Sequence, residues 1–489
     1  MRFRFISRTQ VCSTRPLAGG SILGIIMVVC FSATLHAQSL QKAYGTELYE
    51  AGTVVKVLAD GSLLIGGNAS NYQTDEFDLL LMHVDATGKL GWAQLFGTPE
   101  REVINDIVLT LDSGFLILAE KYLPKNVAGE FLLLLKTDRQ GNLQWQKIHD
   151  DGGNETEGFS IQPTPDGNFI IAGMTRELSP AADAFYSQRN PQALYMLKVN
   201  QQGEKLWSRK LSVPEASLLG ADMTLTRDGA FLVTGNIGRL NTHTEKDKEG
   251  ASGNKGATLN MLAAKVDPNA GLLWVHEYQS LVAMMGLSVI EKREGGFLVA
   301  GNCFTDNANN ADLFLISLDE NGKVQWAKTY GGPDNESAGN VLQTPDKGFI
   351  LYADTRSFGA DFTDVLLIKT DNNGNIQWAK TYGTEDIDFA SKAVLYGNEV
   401  IMTGEAGMGT ESLDVLLFKA DIAKGDAGCL GKTVQSIAVK NMAVTMKRVE
   451  QSTWEPVQPG KLPANIKRTE IGTLKPYNRT LREKNICNL

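Results

Sequence analysis

The sequence predicts an all-β fold: a seven-bladed β-propeller with four strands per blade, whose N-terminal strand closes the last blade. Three observations carry this. Trp92, Trp145, Trp207, Trp274, Trp326 and Trp378 recur at spacings of 53, 62, 67, 52 and 52 residues, and a strand-rich period near fifty reads as a propeller or a solenoid. Runs of the type Gly295-Gly-Phe-Leu-Val-Ala-Gly301 occur seven times, as do apolar runs of the type Asp364-Val-Leu-Leu-Ile368. Finally, the repeats are split. The seventh unit stops near Gly425 without a Trp strand, while Leu40-Gln-Lys-Ala-Tyr44-Gly45 matches Trp326-Ala-Lys-Thr-Tyr330-Gly331 and has no unit before it. A ring closed by its own N-terminus needs that split, and an open solenoid does not.

Taken in chain order, residues 1–37 have the form of a secretory signal: Arg2, Arg4, Arg8 and Arg15 without an acid, then the apolar run Ser21 to Ala33, with cleavage expected after Ala37. The apolar run is shorter than the ~20 residues needed to cross a bilayer, so an exported protein with no transmembrane span is expected, in the periplasm, at the cell surface or outside the cell. Residues 38–428 form the propeller. In each unit a small-residue strand such as Ser337-Ala-Gly-Asn-Val-Leu342 suits the crowded axis. The third strand is apolar on both faces, as a blade held between two neighbours requires. The Trp strand follows a tight turn such as Asp319-Glu-Asn-Gly322 or Asp371-Asn-Asn-Gly374, where the acid caps its own backbone and Gly takes a positive φ. Four strands make one blade.

Residues 429–489 hold 11 Lys and Arg against 4 Asp and Glu, while the whole chain carries −9. With the signal removed, a +7 tail accompanies a propeller of −20. Such a tail either packs on the acidic disc or trails from it to meet a partner, and Pro456, Pro459, Pro463 and Pro476 interrupt its regular structure. Three thiols remain after cleavage, Cys303, Cys429 and Cys487. Cys429 and Cys487 bracket the tail and make the natural disulfide pair in an oxidising compartment, although three thiols leave the pairing open.

The composition, 43% hydrophobic and 21% charged over 489 residues, excludes disordered and fibrous classes. The net acidity argues against a nucleic-acid partner, since phosphate binding needs a basic face.

The unit running from Trp326-Ala-Lys-Thr-Tyr-Gly-Gly through Asp346-Lys-Gly-Phe-Ile-Leu to Trp378 resembles the repeat of secreted bacterial propeller proteins common in Bacteroidetes. Over residues 40 to about 428, that resemblance implies the fold and an extracytoplasmic setting, and no particular activity. The C-terminal Pro-Asn-Pro sorting signature of some such proteins is missing from residues 429–489. The Asp-x-x-Gly-x-x-x-Trp element is also similar to the Trp-docking motif of quinoprotein-like propellers, at one residue shorter spacing. This implies a blade-packing role for Trp92, Trp145, Trp207, Trp274, Trp326 and Trp378. No adjacent Cys pair of the kind placed over the quinone occurs.

Chemistry is sparse. His83, His149, His243 and His276 are scattered without ligand spacing, so no metal centre is expected. Gly431-Lys432-Thr433 resembles the end of a phosphate loop only by chance. One periodic constellation stands out: Glu50, Glu102, Glu155, Glu336 and Asp388 lie ten residues beyond the Trp position, with Ser217 and Met284 in the fourth and fifth units. These five acids are candidate ligand-binding residues on a channel rim, for Ca²⁺ or a cationic group or as an acid and base pair in sugar chemistry; the alternative is that each caps a turn. Insertions at 176–191 and 236–258 sit on adjacent blades, and Phe185 and Tyr186 in the first are candidate contacts. The expected function is a monomeric, non-enzymatic, cofactor-free propeller presenting an acidic, loop-decorated face to a protein or glycan. The alternatives are a polysaccharide hydrolase or lyase using rim carboxylates, and an envelope-assembly scaffold.

Overall fold

The computed structural model describes residues 40–486 apart from 47, 72–75, 124–128, 178–190, 241–256, 305–309, 360–361, 408–411, 428–430, 435, 458–473 and 478–479. Seven antiparallel sheets stand around an axis, and the described residues contain no α-helix. Blade 1 runs outward through Tyr49–Val57, Leu63–Asn71, Glu76–Val84 and Leu90–Gly97. Blades 2 to 6 repeat this order over 102–149, 154–212, 216–279, 283–331 and 336–382. Blade 7 takes Asp388–Tyr396, Glu399–Gly407 and Leu413–Asp421, and its fourth strand is Gln41–Gly45, with Tyr44 opposite Val415. The ring is closed by its own N-terminal strand.

Packing follows the sequence pattern. The third strands Ala193–Val199 and Asp364–Thr370 are buried at every position, because both of their faces meet a neighbouring blade. The apolar cores therefore lie between blades, seven clusters among the described residues, each drawn from two adjacent sheets. Every inner hairpin carries a bulge, for example between Gly52 and Val54 and between Ala390 and Lys392, which re-aims the next side chain. Several of these side chains stitch one inner strand to the next. Asp106 accepts the Ile161 N–H at 3.2 Å, Asp222 the Val289 N–H at 3.0 Å and Asn340 the Ala393 N–H at 3.1 Å.

The outer turns form a second set of joints. Asp319 accepts the N–H groups of Asn321 and Lys323, and Asp371 those of Asn373 and Asn375. Gly322 and Gly374 close these turns at φ of 79° and 72°. The Trp of the preceding blade lies over the closing Gly. A Cβ on Gly141, Gly203, Gly322, Gly374 or Gly425 would stand 2.6 to 3.1 Å from the ring of Trp92, Trp145, Trp274, Trp326 or Trp378. Leu40 takes the Trp place over Gly88. In blade 4 the turn is bonded as in the others, Ala270 taking the positive φ in place of the Gly, and Trp207 and Leu272 both pack on the core between blades 3 and 4. Tyrosines four residues past the Trp position reinforce these joints: Tyr278 and Tyr330 donate to the Gly322 and Gly374 carbonyls at 2.7 Å.

The basic tail is a belt. Gly431–Thr433 pairs with the outer strand of blade 6, Ala438–Asn441 with blade 5, Thr445–Arg448 with blade 4 and Thr453–Pro456 with blade 3. Lys475–Tyr477 then pairs with blade 1, and Arg482–Asn485 with the closing strand Gln41–Gly45 of blade 7. The tail thus circles the ring against chain order, adding a fifth strand to six blades and covering edges that would otherwise be free to pair. Among the described residues blade 2 has four strands. Between its strands the belt drops apolar side chains into the interblade cores: Ile437, Val444, Val449, Val457, Leu474, Leu481 and Ile486, one for each of the seven. Its charge is matched locally as well, Lys484 lying 3.0 Å from the buried Asp414 and Lys42 reaching Glu483 at 2.5 Å. Gly431-Lys432-Thr433 is the first belt strand.

Candidate functional site

The five periodic acids all lie at the start of an inner strand, on the face where the insertions also leave the ring, but they do not form an open rim. Glu50, Glu102 and Asp388 have no exposed surface, Glu336 has 1% and Glu155 4%. Each carboxylate is engaged at home. Glu50 accepts the Thr46 N–H at 3.0 Å and its hydroxyl at 2.7 Å; Glu336 accepts the Gly332 N–H at 3.1 Å; Asp388 accepts the Thr384 N–H at 2.6 Å. Glu102 accepts the Thr98 N–H at 3.2 Å and bonds the buried Lys121, and Glu155 pairs with Arg176. In Glu50, Glu102, Glu336 and Asp388 the acid reaches back four residues to a free N–H of the turn, so the spacing that made the series visible is in these four that of a cap. In the two units without the acid, the Ser217 hydroxyl accepts the Gln192 N–H at 3.4 Å and Met284 is buried in the core.

A second column of acids stands at the start of the apolar third strand in five blades: Asp78, Glu130, Asp312, Asp364 and Asp414. Four of them stand against a Gly of the next turn. A Cβ on Gly45, Gly97, Gly331 or Gly383 would collide with Asp414, Asp78, Asp312 or Asp364. Each seam so built brings an acid of one blade towards the capping acid of the next. Burial, with the charges of Asp364 and Asp386 added to it, pushes Asp388 up to about 7, and Glu336 is raised by burial and by Asp312. The Asp388 Oδ1 is buried without a hydrogen-bond partner.

A further acidic seam lies between blades 2 and 3. Glu120, Glu130 and Glu157 meet there, with Glu157 hydrogen-bonded to Glu130. Burial first, then the Glu130 bond and the charges of Glu130 and Glu120, hold the Glu157 carboxyl well above the carboxylate range. Burial and Glu130 push Glu120 up to about 7, although it accepts a bond from Asn105. Close by, the Arg101 guanidinium lies 4.5 Å from the Phe77 ring centroid and 5.0 Å from that of Tyr122. This arrangement sets a hydrogen-bonded carboxyl pair, with Glu157 raised by burial, beside a cation and aromatic faces.

The channel is crossed by charge. The pKa of half-buried Lys392 of blade 7 is lowered by desolvation but raised overall by the charges of Asp222 of blade 4 and Asp106 of blade 2, and Lys56 lies 3.1 Å from Asp106. The connections from Glu177 to Ala193 and from Leu240 to Ala257 are the two long ones of their type, on adjacent blades. They open beside the inner strands, as Asn154 pairs with Glu177 and Ala216 with Arg239. Phe185 and Tyr186 lie outside the described residues, as do Cys429 and Cys487. Cys303 is 1% exposed, and burial and Asp312 push its thiol up to about 12. A cleft of about 190 Å³ bounded by Leu111, Trp145, Phe169 and Gln201 lies at the opposite face, among the turns of blades 2 and 3. Among the described residues no group of three His, Cys, Asp or Glu is placed to hold a metal, and no helix is long and apolar enough to cross a membrane.

No family model matches the chain. A protein of Aquifex aeolicus (strain VF5) named only as uncharacterised is 27% identical over 148 residues, which is 30% of this chain and 41% of that protein. The chain therefore spans less than half the length of that relative. Among solved structures it is similar to the polysaccharide lyase Uly1, at 10% identity and a TM-score of 0.46, over 80% of this chain and 94% of that one. A protein of unknown function from Dyadobacter fermentans DSM 18053 is similar at 10% identity and a TM-score of 0.42, over 78% and 98%. The Dos1 propeller gives 11% identity and 0.43, over 80% and 97%. These likenesses say nothing about what the chain binds or catalyses.

Proposed function

We propose that this protein is an exported binding scaffold that presents the insertion-bearing face of blades 2 to 4 to a protein or glycan. The carrying observation is that the two long connections leave adjacent blades on one face of a ring braced at its axis, turns and circumference. A rigid frame with long loops confined to one sector is the usual way of building a recognition surface. The acidic seam of Glu120, Glu130 and Glu157 borders that sector and suits a ligand rich in hydroxyl or cationic groups. The test replaces residues 178–190 and 241–256 by short Gly-Ser links and screens the protein against glycan and envelope-protein panels. Loss of a captured ligand at unchanged melting temperature supports the reading, and full retention by the double deletion overturns it.

The buried Glu157 carboxyl, hydrogen-bonded to Glu130, favours a second reading, cleavage of a polysaccharide by a carboxyl pair. It predicts that new reducing ends or unsaturated products form with wild-type protein and vanish in Glu157→Gln.

A further inference from the structure

We propose that the cleft among the turns of blades 2 and 3, on the face opposite the insertions, binds one neutral sugar ring, a pyranose unit of a glycan. At about 190 Å³ the cleft is smaller than the ~300–1,000 Å³ of sites for drug-sized ligands, and it suits a single ring. Its floor is the end of an interblade core, where Phe169 is buried and Trp145 half-buried against the same apolar cluster. The Trp145 ring is fixed before any ligand arrives. Its edge lies over Gly203, where a Cβ would stand 2.6 Å away, and the Lys147 ammonium is 5.8 Å from its centroid. Gly167, at a φ of 76°, forms a side wall, and a Cβ there would stand 3.2 Å from Gln201 Nε2 and 3.5 Å from Leu111 Cδ1.

Other seams are bridged at the positions that stay open here. Thr110-Leu-Asp-Ser-Gly114 of blade 2 corresponds to Thr226-Arg-Asp-Gly229 of blade 4. In blade 4 the Arg227 guanidinium crosses to blade 5 and donates to the Lys292 and Arg293 carbonyls at 2.5 and 2.9 Å. Likewise Asn200-Gln-Gln-Gly203 of blade 3 corresponds to Asp138-Arg-Gln-Gly141 of blade 2, where Arg139 reaches back to Asp60 of blade 1 at 2.6 Å. Between blades 2 and 3 both bridging positions are changed, to Leu111 and Gln201. Leu111 is left 82% exposed at the mouth of the cleft.

The polar groups decide the class of ligand. Lys136 gives its ammonium to the Asp112 carboxylate at 2.9 Å, the Thr137 carbonyl at 2.9 Å and Gln144 Oε1 at 3.0 Å. An ammonium has three protons, so the buried cation is spent on its own blade and offers nothing to an anionic ligand. Because Gln144 accepts through Oε1, its exposed Nε2 is set to donate. Gln201 and Gln202 add two exposed amides, each a donor and an acceptor. A sugar ring meets these amides with hydroxyls while its C–H face covers Trp145 and Leu111. An aromatic peptide side chain would desolvate the same amides without replacing their bonds.

Full-length protein is titrated with the methyl glycosides of glucose, galactose, mannose, N-acetylglucosamine, xylose and fucose, with glucuronate and with N-acetylphenylalaninamide, and saturation transfer to each is followed by NMR. At least one neutral glycoside should receive saturation at its ring C–H protons with a Kd of roughly 0.1–10 mM, and glucuronate should bind at least fivefold more weakly. Leu111→Arg and Gln201→Arg, which restore the bridging side chains at exposed positions, should each raise that Kd at least tenfold at unchanged melting temperature. Replacing residues 178–190 and 241–256 should leave it within twofold, so failure of this site and failure of the insertion-bearing face are told apart. No transfer to any of the six glycosides, tighter binding of glucuronate or of N-acetylphenylalaninamide, or a Kd that either Arg substitution leaves unchanged would each overturn the proposal.

Discussion

Asp388 shows at the scale of one residue how the ring handles its acidity. Its Oδ2 caps the turn at Thr384, while its other oxygen is buried without a partner. Asp388, Asp354 and Glu120 are each pushed up to about 7, burial being the first cause in all three. Unfolded, these carboxyls titrate near 4, so the folded state binds more protons and stability falls as pH rises from about 4 through about 7. Asp112 and Asp228 work in the opposite direction at lower pH, since hydrogen bonds and nearby lysines hold both down at about 2. Their contribution is lost only as pH drops below about 4. The melting temperature should therefore peak near pH 4 to 5 and be lower at pH 8, and Asp388→Asn should flatten the slope by on the order of 1–2 kcal/mol between pH 5 and 8. A curve equally steep in the variant would assign the slope to other groups. Glu50→Ala leaves the Thr46 N–H and hydroxyl without their acceptor and should cost about 1–3 kcal/mol in chemical denaturation without altering any ligand binding.

At the scale of the element, the outer turns and the belt make separate predictions. Gly374 has a φ of 72° with the Trp326 ring and Tyr330 hydroxyl packed where a Cβ would stand, whereas Gly397 at 60° has nothing within 4 Å. Gly374→Ala should cost about 2–4 kcal/mol through strain and overpacking, and Gly397→Ala about 1 kcal/mol through backbone strain alone. Equal losses would remove the Trp contact from the account of this joint. The belt contributes more. Val449, Val457, Leu474, Leu481 and Ile486 are all buried, and at about 1.5–3 kcal/mol per side chain their gross contribution rivals a typical net stability of 5–15 kcal/mol. A chain ending at residue 430 is expected to elute as aggregate rather than monomer in gel filtration, because it loses these side chains and exposes six outer edges. The tail holds a weak sequence signal of this role. Lys432, Lys440 and Lys447 recur at spacings of eight and seven residues, and each pairs with the residue just before a buried tyrosine, Thr381, Thr329 and Glu277.

At the scale of the whole molecule, closure is double: the N-terminal strand completes blade 7, and the tail passes around the outside. Removing residues 38–46 should take out the strand that both blade 7 and the last belt strand pair with, giving insoluble protein; an unchanged melting temperature would contradict the closure. Much of this architecture was legible in the chain. The Trp, Gly-Phe and apolar-strand series repeat because each blade meets the same two neighbours, so identical packing demands leave identical residues at fixed spacing. The orphan strand at Leu40 to Gly45 showed how the ring closes for the same reason. Charge separation between tail and disc was equally visible. The fate of the periodic acids was not, since a carboxylate on an open rim and one folded back on its own turn share the same spacing, and only three-dimensional burial separates them. Nor was the Glu120, Glu130 and Glu157 seam, whose members come from three strands of two blades. The belt escaped because its strands are three or four residues long, too short for periodicity to register, and each is extended only because an outer edge is there to receive it. Sequence determined the repeating unit, set by local turns and side-chain alternation; tertiary structure decided which acids are sealed and where the tail runs, because both depend on surfaces that exist only once the ring has closed.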